Sequence, residues 1–122
     1  LDAFGSEVRL AVEFRHPSWF TEETCDVLKQ RQAALCLADS PHRKTPIWRT
    51  ADWGYVRFHE GRATPRPCYG RQALHTWSCR LVDLYGPDED VYAYFNNDQQ
   101  ACAVFNAREF RKLMQRAGRP VR

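Results

Sequence analysis

The sequence predicts an α/β protein built on a mainly parallel sheet. Short apolar runs alternate with segments of helical spacing in the order strand, helix, strand, long loop, strand, helix, strand, helix. Parallel strands are joined by such crossovers, which are right-handed. Polar side chains gather at the C-terminal ends of the strands: Glu13 and Arg15, then Asp39, then Arg57 and His59, then Asn96 and Asn97. Parallel α/β sheets build their sites at that end. Four such clusters in register are hard to explain as solvated faces.

Leu1-Asp2-Ala3-Phe4 reads as the last turn of a helix running into a strand, and the chain has no initiator methionine, so a preceding segment is expected. In the first strand Leu10, Val12 and Phe14 share one parity, while Glu13 and Arg15 share the other, which puts both charges on one face. Burying them is costly without partners. Pro17 has no amide hydrogen for the ladder, so it ends the strand and leaves His16, Ser18 and Trp19 in the loop. Thr21-Glu22-Glu23 signals a helix start, a hydroxyl cap followed by acids that the helix dipole favours, and the helix is expected to run to about Gln32.

Ala34 to Asp39 has the form of a strand buried on both faces, closed by Ser40-Pro41. His42 to Gly54 is polar, holds Pro46, Trp48 and Trp53, and reads as a long functional loop with a short element near Ile47. Tyr55 to Gly61 is the third strand and repeats the parity of the first, with Val56 and Phe58 opposite Arg57 and His59. A loop with Pro65, Pro67 and Gly70 leads to a helix from about Gln72 to Tyr85, whose Leu74, Trp77, Leu81 and Leu84 recur at helical spacing before Gly86-Pro87 stops it. Asp90 to Phe95 is the fourth strand and delivers Asn96-Asn97-Asp98. Asn106 with Glu109 is expected to cap a final helix that turns Phe110, Leu113 and Met114 inward. No repeat, low-complexity tract or linker divides residues 1–122, which read as a single domain.

Composition narrows the function classes. Hydrophobic residues at 43%, with 13% aromatic, exclude a disordered chain. The 18 basic against 15 acidic residues give a mild +3, and the arginine fork suits phosphate or carboxylate, so small anions and nucleic acid both stay open. Cys25, Cys36, Cys68, Cys79 and Cys102 form no C-x-x-C pair, and an odd count leaves one unpaired in any scheme, so reduced thiols in a cytoplasmic setting are expected. No run approaches the roughly 20 apolar residues that span a membrane.

Ala11-Val12-Glu13-Phe14-Arg15-His16-Pro17-Ser18-Trp19, Tyr55-Val56-Arg57-Phe58-His59-Glu60-Gly61, Tyr92-Ala93-Tyr94-Phe95-Asn96-Asn97-Asp98 and Asn106-Ala107 together resemble the domain-of-unknown-function 72 family, the YecE-like proteins. Order and spacing match over essentially the whole chain, although Gln99-Gln100 stand where that family often holds glycine. The resemblance implies a TIM-barrel-like (β/α)8 fold of which this chain is the C-terminal half, four parallel strands with helices outside. It implies a site at the C-terminal face and no established activity. Four strands cannot close a barrel, so a homodimer or a missing N-terminal half is the expected partner.

Two readings of Glu13 stand side by side, a general base and a structural anchor held by Arg15 or Arg57. His59 is the other acid/base candidate. Arg15 and Arg57 form an anion clamp, and His16, Trp19, Asp39, Tyr69, Asn96 and Asn97 line the expected substrate site, where Trp19 or Tyr69 could stack on a base or sugar ring. Trp77 falls in the helical stripe and reads as core, and His42 and His75 as surface. No cofactor is expected. Glu13, His16, Asp39 and His59 would suit a divalent ion by type, yet no compact ligand spacing occurs and Arg15 and Arg57 would repel a cation. Two function classes follow: a hydrolase of a phosphorylated or otherwise anionic substrate, including a nucleic-acid phosphodiester, and a non-catalytic module that holds nucleic acid or protein through Arg43-Lys44 and Trp48.

Overall fold

The computed structural model describes all of residues 1–122. Its elements are β1 (Ala11–Val12), α1 (Glu22–Gln30), β2 (Ala34–Ser40), β3 (Arg43–Lys44), β4 (Gly54–Phe58), α2 (Arg71–Leu84), β5 (Val91–Phe95) and α3 (Cys102–Arg116). The sheet runs β1-β2-β4-β5 with every neighbour parallel, and β3 folds back antiparallel on β2. This is the α/β architecture with a parallel sheet that the alternating pattern predicts.

Strand parity decides where the core lies. Leu35 and Leu37 of β2 and Val56 and Phe58 of β4 point to the helices, where Leu28, Leu74, Trp77, Leu81, Phe110 and Leu113 meet them. Phe58 is 0% exposed, stacks on Phe95 with ring centroids 4.4 Å apart, and meets Tyr69, Trp77 and Phe110 edge-on. Burial of one such ring stabilises the fold by about 1.5–3 kcal/mol. Trp77 is core, as its spacing predicts. The other sheet face is concave and open, with a cavity of about 580 Å3 lined by residues such as Trp53, Tyr55, Tyr92 and Tyr94.

Thr21 caps α1 as expected, accepting from the Thr24 amide at 3.2 Å. Several local expectations need correction. Residues 1–4 form a single turn, Phe4 N donating to Leu1 O at 3.1 Å, because four residues do not sustain a helical ladder. α1 ends at Gln30, and Gln32 adopts φ 49°. The segment after β2 has no element at Ile47; Asp39 and Ser40 instead pair with Lys44 and Arg43 to make a short hairpin. α3 begins at Cys102, so Asn106 lies inside the helix and not at its cap. Its amide is taken by tertiary hydrogen bonds.

The thiol expectation is corrected as well. Cys68 and Cys102 form a disulfide, with Cα atoms 4.9 Å apart and a sequence separation of 34, while Cys25, Cys36 and Cys79 are free. A separation that long has no local signature, since it arises only when the β4–α2 loop packs on the start of α3. The bond removes the thiol argument for a cytoplasmic setting. No helix is long and apolar enough to cross a membrane.

Candidate functional site

Glu13 sits where β1 hands over to its loop, on the concave side. Its Oε1 lies 2.8 Å from Arg57 Nε and its Oε2 lies 3.1 Å from Arg15 Nη2. The Glu13 and Arg57 side chains are only 18% and 23% exposed, while Arg15 is 65% exposed. Despite the short distance, the Arg57 Nε–H makes no well-directed hydrogen bond, so this contact is an ion pair by proximity. Below it lies Cys36, its Sγ 3.9 Å from Glu13 Oε1. Burial first, and then the Glu13 carboxylate, push that thiol up to about 12, which leaves it protonated and unreactive.

His59 follows Arg57 by two residues and shares its face. Its Nδ1 lies 3.1 Å from Asn96 Nδ2. With the amide donating, Nδ1 accepts and the ring proton sits on Nε2. Parallel pairing sets this contact up, because Phe58 is in register with Phe95 and the Asn96 amide donates to Phe58 O at 3.1 Å.

One cleft of about 210 Å3 draws together Glu13, Arg15, Arg57 and His59, along with Ser40, His42 and Arg43. Asn96 joins through His59. Arg43 and His42 enter because β3 turns back on β2, a hairpin without a sequence signature. His42 stays exposed, 3.6 Å from Glu60. Its neighbours make the cleft predominantly cationic, which favours anions.

The other candidates do not line this cleft. His16 caps the short 3-10 turn Pro17–Trp19, its Nδ1 accepting from the Ser18 amide at 3.2 Å and lying 2.7 Å from Ser18 Oγ. Trp19 is 55% exposed and stacks on Phe14 at 5.3 Å. Asp39 shares the parity of Leu35 and Leu37, the helix side, and its carbonyl accepts from the His59 amide at 3.0 Å and the Tyr69 hydroxyl at 3.2 Å. Tyr69 is buried against Phe58; burial, and after it the Asp39 carboxylate, raise its phenol. No group of three or more His, Cys, Asp or Glu side chains forms a metal-holding set.

Asn97 is 1% exposed and belongs to a clamp. Its Nδ2 donates to Pro67 O at 3.1 Å and to Asn106 Oδ1 at 3.0 Å, while Asn106 also accepts from the Tyr69 amide at 2.9 Å and donates to Tyr69 O at 3.0 Å. Buried amides of this kind are costly unless paired. The clamp holds the β4–α2 loop against α3, next to the disulfide. The loop also requires glycine at 61, since a Cβ there would lie 2.2 Å from Cys68 O. Asn106 is the member that sequence reasoning misplaced at a helix cap; the asparagine within the Asn106-Ala107 motif was its only signal.

A parallel sheet with helices packed on one face and a cationic cleft at its strand ends defines a (β/α)-type unit. The chain belongs to the DUF72 family: the family model described as "Protein of unknown function DUF72" matches residues 1–121. It is similar to the solved structure of a DUF72 family protein from Thermotoga maritima, at 30% identity and a TM-score of 0.78, over 89% of this chain and 47% of that one. A DUF72 family protein from Enterococcus faecalis shares the fold at 22% identity and a TM-score of 0.75, over 89% of this chain and 49% of that one. The chain thus spans about half the length of these solved relatives. No curated protein matches it.

Proposed function

We propose that the C-terminal mouth of the sheet binds a phosphorylated or otherwise anionic substrate and hydrolyses it. The observation that carries this reading is the 210 Å3 cleft on which Arg15, Arg57 and Arg43 converge beside His59. Arg43 has no acidic partner among the ion pairs of the chain, and Arg15 is largely exposed. Glu13, with one oxygen on Arg57 and the other on Arg15, serves best as the anchor that aims them, since both of its oxygens are already engaged. His59 is the acid/base group: its protonated ring, with Nδ1–H turned to the Asn96 amide oxygen, would give the Nε2 proton to the leaving oxygen as water attacks phosphorus.

Isothermal titration with inorganic phosphate and turnover of an aryl phosphate test the reading. R57M should lose phosphate binding, whereas H59N should bind phosphate and lose turnover at least a hundredfold, about the share of a general acid. Equal phosphate binding by wild type and R57M would exclude the cleft. Phosphate binding without turnover by wild type favours the second reading, a non-catalytic binding module built on the same arginines, and full turnover in H59N would exclude His59 as the acid.

For assembly, we propose that a complementary four-strand unit, supplied by a second copy or by an N-terminal half, completes a TIM-type barrel. Val27 of α1 and Val104 and Phe105 of α3 are exposed beside the two sheet edges, while α2, flanked on both sides, has no large exposed apolar side chain. Sedimentation of the chain at rising concentration should show self-association through these edges, and V104K/F105K should abolish it.

A further inference from the structure

We propose that the anionic ligand of this mouth is a single-stranded nucleic acid, laid across the cleft with one phosphate inside it and a base stacked on Trp19. The proposal rests on the anion-binding reading above and assigns its substrate class.

The two ends of the sheet treat their cations differently. At the N-terminal end of the strands the arginines beside the sheet are engaged: Arg9 lies 2.9 Å from Asp90, Arg49 is bidentate to Glu89, Arg31 pairs with Asp2, and Arg119 donates to the Val82 and Tyr85 carbonyls at 3.2 and 3.0 Å. At the C-terminal end Lys44 on the hairpin and Arg62 and Arg66 on the β4–α2 loop are exposed and form no ion pair. Opposing them are Glu60, which faces His42, then Asp98, and Glu22 and Glu23 at the start of α1. A free phosphate fits within the cleft and needs none of the three outer cations. A phosphodiester chain leaving the cleft in both directions would meet them at its rim: Lys44 is exposed on the hairpin one residue after the cleft-lining Arg43, and Arg62 follows His59 by three residues.

The second observation is aromatic. Trp19 is 55% exposed, yet it is not a loose side chain, because one face stacks on Phe14 and Phe14 itself lines the cleft. Its other face is an open platform beside a phosphate-sized site. A platform of that kind takes a base only when the base is unstacked from its neighbours, which selects single over double strands. An acidic peptide would use the cations and leave the ring idle.

Anisotropy of a short fluorescein-labelled oligothymidylate with the full chain tests the proposal, with circular dichroism confirming the fold of each variant. Wild type should bind with an affinity that falls steeply with salt. K44A/R62A/R66A should bind inorganic phosphate normally yet flatten the log–log salt slope by about 2, three phosphate contacts at roughly 0.7 each. W19A should weaken oligonucleotide binding on the order of tenfold with the slope unchanged, the signature of one lost stack. Phosphate binding without oligonucleotide binding would overturn the proposal and leave the anion reading standing, and absence of both would remove both. Equal affinity for polyglutamate, or for a duplex of the same length, would also overturn it.

Discussion

Consecutive residues of β4 face different solvents. Val56 and Phe58 are both 0% exposed and sit among the helices, whereas Tyr55 and Arg57 are half-buried and His59 is exposed on the concave side. The helix-facing Phe58 makes aromatic contacts at 4.4–5.5 Å; on the other face Arg57 makes an ion pair, His59 an amide contact, and Tyr55 stacks on Tyr94 at 5.2 Å. A single strand therefore separates two jobs by parity alone, stability on one side and chemistry on the other, so damage to one face should leave the other largely intact.

The largest effect should come from the core side. F58A is expected to cost about 3–5 kcal/mol in urea unfolding, because four packed rings lose their common centre. A cost below 1 kcal/mol would mean that the helices, and not the sheet, hold the core. On the concave side the single variant R57M should cost about 1–3 kcal/mol, since it leaves the Glu13 carboxylate half-buried with only Arg15 as partner. E13L/R57M should recover most of that stability while still failing to bind phosphate. If the double variant is less stable than either single one, the pair contributes net stability and the division between faces breaks down.

A smaller change probes neither face. Gln100 and Ala101 both hold left-handed backbone, at φ 60° and 57°, a region that favours glycine. Q100G should raise stability by about 1 kcal/mol, read as a higher urea midpoint, with phosphate binding unchanged. The least effect is a pH dependence. The folded chain holds the Cys36 proton more tightly than the unfolded chain does, so this contribution is whole below the ordinary thiol range and is lost as pH rises toward about 12. Unfolding curves at pH 7 and pH 10 should therefore converge in C36A relative to wild type, and parallel losses in the two proteins would show that the thiol is not uncoupled from solvent.

Parity and punctuation made much of this legible. The alternation in Leu10 to Arg15 and again in Tyr55 to His59 is enough to place Glu13, Arg57 and His59 on one face, and Thr21 marks a helix start by its chemistry. What stayed hidden depends on contacts between distant segments. Asn97 and Asn106 look like a strand-end ligand and a helix cap because both are polar at plausible positions; only packing of the β4–α2 loop on α3 reveals a clamp. The same packing joins Cys68 to Cys102, and no spacing rule anticipates it. The hairpin that brings Arg43 into the cleft spans too few residues for periodicity to register. Gln99-Gln100 is the reverse case: the departure from glycine noted in the sequence ends on Gln100, the first of the two positive-φ residues.

The open margins of the sheet set a gradient of persistence in time. β2 and β4 have a parallel strand on each side, whereas β1 and β5 have one neighbour only. Alternate amides of β5 face no strand, and α3 leaves Val104 and Phe105 uncovered beside it. In deuterated solvent those amides should trade their hydrogens through small local openings, while the amides of Leu37 and Val56 wait for the whole chain to unfold. The cleft spans both regimes, with Arg57 fixed in the slow centre and Asn96 carried at the end of the fast margin, so its His59–Asn96 side is free to adjust to a ligand while its Glu13–Arg57 side holds still.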